Sequence, residues 1–566
     1  MKFLPSQLMY LLQDRTARRN IRLLSRFIVI LAGVIALYSM IFHFFMLMEG
    51  QTHSWATGVY WTLTVMSTLG FGDITFQSDI GRIFSIVVLI SGVVFLLVML
   101  PFTFIQFFYA PWLEAQTQSR ARQSLPDDMG NHVIIVGFEP VATSFIARLV
   151  KYDRNYALLV PDVNQALSLR DQGYKALAGD PDDPDTYMRL NIQKASMLLA
   201  LTDDMKNTNI AFTVRELSKD IPIVVTSDKD ESVDILKLAG ATRVFQFRKM
   251  LGGFLARRIV GPGLQSAIIG RFEKLMIVEA PVMRSRLVGK TILDCGIREA
   301  TGLNVVGLWE RGIFKLPKPD SSILSETVLV LAGSMEQVLA YEDFVGKQPI
   351  SPDPVLILGG GRVGQAAAET LDSRGVAYKI VEKNSKVATG KKNMVVGSAA
   401  DLDVLMEAGI QKAPSVFITT HSDDMNIYLT LYCRKLRPDI QIISRATLDR
   451  NVGILHTAGA DLVMSYAALA GNTLFNLLSP GKVQMLTEGL NIFRIRSHKN
   501  LVGKSLFESE IRNQTGCSVV AMVRGEHMDI NPHPSSIIEQ DTELILVGTA
   551  EAETEFMHRF PEKKHR

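Results

Sequence analysis

Three stretches of this 566-residue chain combine residue types that can do chemistry. The first is Thr68-Leu69-Gly70-Phe71-Gly72-Asp73, set inside the semi-apolar run HSWATGVYWTLTVMSTLGFGDITF. Successive backbone carbonyls turned to one side can replace the hydration shell of a potassium ion. Such a backbone must alternate in hand, which glycine does without steric cost. Gly70 and Gly72 are spaced for it. The second stretch, Gly359-Gly360-Gly361-Arg362-Val363-Gly364, reads G-x-G-x-x-G; it follows the strand-like run VLIL and opens a helical pattern. Its glycines let the backbone approach a pyrophosphate, and the helix start supplies free N–H groups. Arg362 adds a charge for phosphate, and Glu382 closes the next strand, KIVE, where an acid can hold a ribose hydroxyl pair. The third is a set of acid-rich loops: GDPDDPD from Gly179 to Asp185, Asp203-Asp204, and TSDKDE with Asp228, Asp230 and Glu231. Carboxylate oxygens in numbers suit a hard divalent cation such as calcium, so Asp180, Asp203, Asp204 and Asp228 are candidate ligands. His421-Ser422-Asp423-Asp424 shares the same ambiguity.

The elements that must position the first stretch are two long apolar runs. Residues 27–48 contain no Asp, Glu, Lys or Arg, and a second run continues from Ile83. Each is long enough to span a bilayer core, which needs about 20 residues. The first is too long for a signal peptide, and no small-residue cleavage site follows it. Helices are expected at about 24–48 and 82–110, with a re-entrant helix and filter at 54–73 between them. Arginines 15, 18, 19, 22 and 26 precede the first run, and Arg120 and Arg122 follow the second. Positive charge favours the cytoplasmic side, so both termini are expected there, in a multi-pass protein of the cell (inner) membrane. Tyr109 and Trp112 fit an interfacial belt. The net charge of +3 gives no reason to expect nucleic acid, and Cys295, Cys433 and Cys517 stand too far apart for a metal framework.

Beyond residue 132 the pattern alternates short strands with helices, and then repeats itself. HVIIVGFEPVATSFIARLV (132–150) matches PVLILGGGRVGQAAAETLD (354–372), AGATRVF (239–245) matches AGADLVM (458–464), and LVGKTILDCGIREATGLNVVGLWERG (287–312) matches LVGKSLFESEIRNQTGCSVVAMVRGE (501–526). The expected domains are a pore domain, 1–113; a linker, 114–131; a first unit, 132–345, with lobes at about 132–250 and 272–345; and a second unit, 354–566, with lobes at about 354–470 and 490–555. The first unit's loop carries Glu139 where the second glycine belongs, and Pro140 removes a donor. That loop is expected to have lost any phosphate site.

Taken together, these features resemble two-transmembrane-helix bacterial potassium channels with tandem RCK domains (regulators of potassium conductance). The filter motif resembles the TVGYGD of that class, with Leu69 for valine and Phe71 for tyrosine. The resemblance implies a multidomain fold: an all-α two-helix pore with a re-entrant loop, then two α/β Rossmann-like units, each with a small α+β C-lobe. It further implies potassium held by the carbonyls of Thr68, Leu69, Gly70 and Phe71, Asp73 at the outer mouth, Tyr60 and Trp61 buttressing the filter, and Gly92 as a gate hinge. By the same likeness the chain would form a homotetramer with an eight-unit RCK gating ring in a lipid bilayer. Its ligand would be NAD(H) or ADP/ATP at Gly359, Gly361, Arg362, Val363, Gly364 and Glu382. Two other readings compete. A Trk/Ktr-like transporter would carry four pore-like repeats in one chain, whereas this chain has one. A membrane-tethered NAD-dependent oxidoreductase would leave the filter unexplained, and no residues are placed for hydride transfer, so no enzyme activity is expected.

Overall fold

The computed structural model describes residues 15–106, 124–258, 266–283, 285–346, 352–388, 393–478, 483–486 and 489–561. Tyr109, Trp112, Arg120 and Arg122, with linker residues 114–123, lie outside them, as do the side chains of residues 15–22. The chain divides into two compact units, one built on residues 1–122 and the other on nearly all the rest.

In the first unit, α1 (Arg15–Met48) is followed by α2 (Trp55–Met66) and α3 (Asp79–Gly92). Leu23–Met48 and Asp79–Thr103 are long and apolar enough to cross a membrane. The 12 residues of α2 are too few to span. Ser54 caps α2 by accepting from the Thr57 N–H, and Ser78 caps α3 by accepting from that of Gly81. Glu49, at the end of α1, accepts from the Gln77 and Ser78 N–H groups at 2.9 Å each, fixing the start of α3 beside the end of α1. Beyond Gly92 the helix widens into a π-helical stretch, Val93–Met99, before α4 (Leu100–Phe104). Pro101 supplies the reason: it has no N–H for the Leu97 carbonyl and its ring crowds that carbonyl. The Leu100 N–H reaches back to Phe95 instead. Phe42, Trp61, Phe76 and Phe84 form the core of this unit, with Phe42 stacked on Trp61 at 4.9 Å.

The second unit contains four sheets. Strands β1 (Val133–Val136), β2 (Tyr156–Val160), β3 (Ala176–Ala178), β4 (Met197–Ala200), β5 (Ile223–Thr226) and β6 (Arg243–Phe245) form a parallel sheet in the order β3-β2-β1-β4-β5-β6. Antiparallel β7 (Ala267–Phe272), β8 (Leu275–Pro281), β9 (Asn304–Glu310), β10 (Ile313–Lys315) and β11 (Thr327–Gly333) follow in the order β10-β9-β11-β8-β7. The plan then recurs. Strands β12 (Val355–Leu358), β13 (Tyr378–Glu382), β14 (Met394–Val396), β15 (Ser415–Ile418), β16 (Gln441–Ala446) and β17 (Leu462–Ser465) take the order β14-β13-β12-β15-β16-β17. Strands β18 (Val483–Met485), β19 (Leu490–Arg496), β20 (Ser518–Arg524), β21 (His527–Ile530) and β22 (Glu543–Thr549) close the chain as a second antiparallel sheet. The central parallel strands are covered on both faces, which is why VIIV and VLIL are apolar throughout. Strand order reverses between β1 and β4, and again between β12 and β15, which opens a crevice at the carboxyl ends of those strands.

The two parallel-sheet lobes meet through two helix pairs. Helix α5 (Pro140–Lys151) follows the first glycine loop, α6 (Asp204–Leu217) follows β4, and α7 (Phe247–Arg257) follows β6. Their counterparts are α8 (Arg362–Ser373), α9 (Asp423–Leu436) and α10 (Tyr466–Leu478). Helix α7 packs on α8, and α10 packs on α5, so one contact is made twice with the lobes exchanged. Each crossing needs a glycine at the same repeat position. A Cβ on Gly252 would lie 2.3 Å from the Val363 carbonyl oxygen, and one on Gly471 would lie 3.2 Å from the Phe145 nitrogen. The neighbouring Gly253 would meet only Thr370 Oγ1, at 3.5 Å. In a helix, alanine is favoured over glycine by about 1 kcal/mol, so the two sites should respond with opposite signs. Gly252→Ala is expected to lower the apparent melting temperature of the purified protein and Gly253→Ala to leave it unchanged or raise it, read by thermal unfolding of the two variants side by side.

Candidate ion filter and nucleotide site

The carboxyl end of α2 runs directly into the filter stretch. Ser67 closes the helix by donating to the Leu63 carbonyl, and the Leu69 and Gly70 N–H groups both donate to the Thr64 carbonyl, at 2.9 and 3.2 Å. Thr68, Gly70 and Gly72 take positive φ values of 63°, 44° and 74°, while Leu69 and Phe71 do not. This is the alternation in hand that carbonyls need in order to face one side. Threonine in that region is strained, and only well-supported surroundings hold it there. The support comes from behind. Trp61 Nε1 donates to the Ile74 carbonyl at 3.1 Å, and the Tyr60 hydroxyl donates to Asp73 Oδ2 at 3.2 Å. With phenylalanine at 71, the Tyr60–Asp73 bond is a tie the sequence comparison did not anticipate.

Gly92, the expected hinge, is closely packed in this structure. A Cβ there would fall 2.3 Å from Met66 Cα and 2.4 Å from the Met66 oxygen. Glycine is required because α3 crosses the end of α2 against its backbone. The irregular geometry lies just beyond, in the π-helical Val93–Met99.

The second glycine loop is built as its spacing predicts. Gly359 sits at φ 111°, its Cβ position pressed against the Thr419 backbone, and a Cβ on Gly364 would lie 2.0 Å from the Gly359 oxygen. Gly361 caps α8, and Arg362, Val363 and Gly364 form its first turn, whose N–H groups have no partner within a helix. The Val363 side chain is buried and anchors that turn. Glu382, the last residue of β13, accepts from the Gly360 N–H at 2.7 Å and from that of Asn384 at 2.8 Å. Its carboxylate is therefore beside the glycine loop, where a ribose would lie. Opposite stands His421, just beyond β15, whose ring would come within 3.3 Å of a Cβ on Gly361. Burial, with Arg445, Arg248 and Arg362 nearby, lowers its basicity, while Glu382 opposes the shift. The residues present, a glycine loop at a helix start with Arg362 and Glu382 beside it, fit an adenine nucleotide.

The acidic loops do not gather. Among the described residues no three His, Cys, Asp or Glu side chains form a metal-holding group. Asp203 caps α6, accepting from the Lys206 N–H, and Asp180 accepts from that of Asp182. Asp204 accepts from the Asp228 N–H and the Ser227 hydroxyl. Asp228 is paired with two arginines, Arg248 of its own lobe and Arg362 of the second. The divalent site expected at Asp180, Asp203, Asp204 and Asp228 is corrected accordingly: local caps and ion pairs take those oxygens.

Asp228, Arg248, Arg445 and His421 are the neighbours of the nucleotide loop that sequence reasoning missed in this role. Arg248 opens α7 and lies over the Tyr466 ring of α10 at 5.7 Å. Glu139, in the first unit's degenerate loop, belongs to the same junction. Burial pushes its carboxyl up to about 7, with Arg248 opposing and Asp228 adding to the shift.

Comparison with known proteins accords with this architecture. Residues 24–109 match the ion channel family, 133–246 and 355–466 the TrkA-N domain, and 277–346 and 490–560 the TrkA-C domain. The chain is 27% identical over 251 residues to "Probable potassium channel protein 2" of Methanocaldococcus jannaschii, covering 41% of this chain and 73% of that one. The chain belongs to the potassium channels in which a two-helix pore carries tandem RCK domains. Among solved structures it is similar to the GsuK channel bound to NAD, at 36% identity and a TM-score of 0.57, with 95% of this chain and 99% of that chain covered. It is also similar to the GsuK RCK domain, at 34% identity and a TM-score of 0.57, covering 80% of this chain and 99% of that one.

Two outcomes are expected from this geometry. Tyr60→Phe removes the hydrogen bond to Asp73 and should lower the potassium-over-sodium ratio of ion flux into vesicles. Because the native carboxyl of Glu139 holds its proton up to about 7, above its ordinary value, the native state is favoured as pH falls below 7 and penalised as pH rises through it. The apparent melting temperature should be higher at pH 6 than at pH 8, and Glu139→Gln should shrink that difference.

Proposed function

We propose that this channel is a homotetramer whose pore is gated by an adenine nucleotide, NAD(H) or ADP/ATP, bound at the second RCK domain. Thr68, Leu69, Gly70 and Phe71 supply the carbonyl sites and Gly72 the turn that completes them. Asp73 stands at the outer mouth. Two observations favour assembly around a common axis. One filter per chain lines only part of a pore, and Leu69 and Phe71 are 60% and 65% exposed in the single chain. Four chains with two RCK units each would make an eight-unit ring without separate subunits. The termini lie on the cytoplasmic side of the cell membrane in this reading, with the ring there to sense the cell's nucleotide.

The observation that carries the gating half is the cradle of Gly359, Gly361, Val363 and Gly364, with Glu382 bonded to its rim and Arg362 at its mouth. The structure of the GsuK channel bound to NAD supports a dinucleotide for the same fold. An acid at the ribose position disfavours a 2′-phosphate, which ranks NAD(H), ADP and ATP above NADP. Binding shifts the gate only by the difference in the ligand's affinity for the open and closed rings. The inner helix would transmit that shift through the π-helical stretch below Gly92.

The test is potassium flux from purified protein in liposomes, with and without NAD and ADP, for wild type and Gly361→Asp. A side chain of that size and charge cannot share the space beside His421 with a phosphate. The variant should keep basal potassium-selective flux and lose the nucleotide response. Equal responses in both proteins would refute the assignment.

A further inference from the structure

The nucleotide loop does not face open solvent on its cationic side. A carboxylate from the other RCK domain stands there. Asp228 Oδ2 lies 2.5 Å from Arg362 Nη1 in the first turn of α8, while its Oδ1 engages Arg248. The same residue is tied into its own lobe, since its N–H donates to Asp204 at the start of α6. The surroundings mix both signs, with Glu382 bonded to the Gly360 N–H and Asp204 to the Asp228 N–H. Arg445, at the end of β16, is 3% exposed, and its Nε and Nη1 have no partner among the described residues. Against Arg248, Arg362 and Arg445 stand Asp228 and the weakly acidic Glu139; the Asp423 carboxylate is engaged by the Thr447 and Leu448 N–H groups and by Asn451.

From this we infer that Asp228 is a built-in stand-in for the ligand's phosphate: it holds Arg362 when the loop is empty and is exchanged for phosphate when nucleotide binds. The inference rests on the nucleotide reading above and adds how occupancy reaches the other domain. A phosphate bound at the α8 N-terminus offers Arg362 a more highly charged, bidentate partner than a carboxylate. Asp228 and the incoming phosphate also repel each other at that distance. Once Arg362 turns to the ligand, Asp228 retains Arg248 only, and the ion pair joining the α8 N-terminus to the β5–α7 side of the first domain is lost. Glu139 and Tyr466 sit beside that pair, so the change falls at the junction of the two lobes.

The exchange makes Asp228 a competitor, which sets its signature apart from that of a structural residue. With full-length protein, ADP is titrated calorimetrically into wild type, Asp228→Asn, Arg362→Gln and the double variant. Removing the competitor should tighten ADP binding roughly fivefold, the scale of a partly exposed ion pair. No such gain should appear when Arg362→Gln is already present. In liposomes, Asp228→Asn should show a smaller change in potassium flux at saturating ADP than wild type, although it binds ADP more tightly. Asp228→Ser serves the same purpose if the Asn variant does not elute as wild type does. ADP binding that Asp228→Asn leaves unchanged or weakens overturns the inference, as does a gain that persists beside Arg362→Gln. Absence of ADP binding to wild type would instead overturn the nucleotide reading itself.

Discussion

The structure depends on backbone polar groups that secondary structure leaves free. Elsewhere in the chain, N–H and C=O groups pair in helices and ladders, as buried ones must. Two free sets among the described residues stand out: the carbonyls of residues 68–71 and the N–H groups at the start of α8. Each set would be costly if left without a partner and without support. The pore meets this by anchoring the filter strand to α2 through Thr64, Trp61 and Tyr60. The regulatory unit meets it by packing Gly359 against the Thr419 backbone, Gly364 against the Gly359 oxygen, and Val363 into the core. In both, the groups proposed to meet the ligand are main chain and the side chains are scaffolding. This explains why the defining residues are glycines and why the bulky residues around them are aromatic or branched.

Duplication supplies the second constraint. Each RCK domain presents the helix after its glycine loop and the helix after its sixth strand, and the two domains cover each other's. The pairing of α7 with α8 and α10 with α5 works only because Gly252 and Gly471 let backbones approach. Once the lobes meet in this way, each glycine loop is brought to the partner domain's last helix. The first loop, with Glu139, became part of the wall. The second stayed open and gained Asp228 and Arg248 as neighbours. The asymmetry between two domains of one fold therefore has a local cause: a carboxylate where a glycine would leave room for phosphate.

Much of this was legible in the sequence, for identifiable reasons. The spans announced themselves by length and lack of charge, and the two parallel sheets by apolar strands bounded by glycine loops. The repeat at 132–150 and 354–372 aligned the domains before any coordinates. Filter handedness followed from Gly70 and Gly72, because positive φ is a property glycine carries locally. What was not legible was tertiary. Gly92 looked like a hinge since a mid-helix glycine has two explanations, and only the proximity of Met66 decides for packing. The acid-rich loops looked like a cation site because sequence shows carboxylates but not what they accept; Asp203 and Asp204 were engaged by N–H groups a few residues away or across a strand. Asp228 and Arg362, 134 positions apart in the chain, could not be joined without the lobe pairing. A hint did exist. The repeat places Thr447 opposite Asp228, so the first domain carries a charge where its copy carries none.

That asymmetry bears on how a single site can move a pore. Were both loops to bind nucleotide, occupancy would stabilise each domain separately and the junction between them would feel only a difference. If the second loop alone binds nucleotide, as proposed, the charge change on binding falls at the junction itself, next to Arg248 and Tyr466. Ion pairs at half-buried positions are individually weak, which suits a switch: the Asp228–Arg362 pair can be broken by a phosphate without unfolding the interface, whose cohesion comes from the helix crossings. Strong packing holds the two domains as a pair, while a weak, exchangeable charge contact sets their relation. A gate requires both, since a junction held by ion pairs alone would dissociate on binding, and one held by packing alone would not respond.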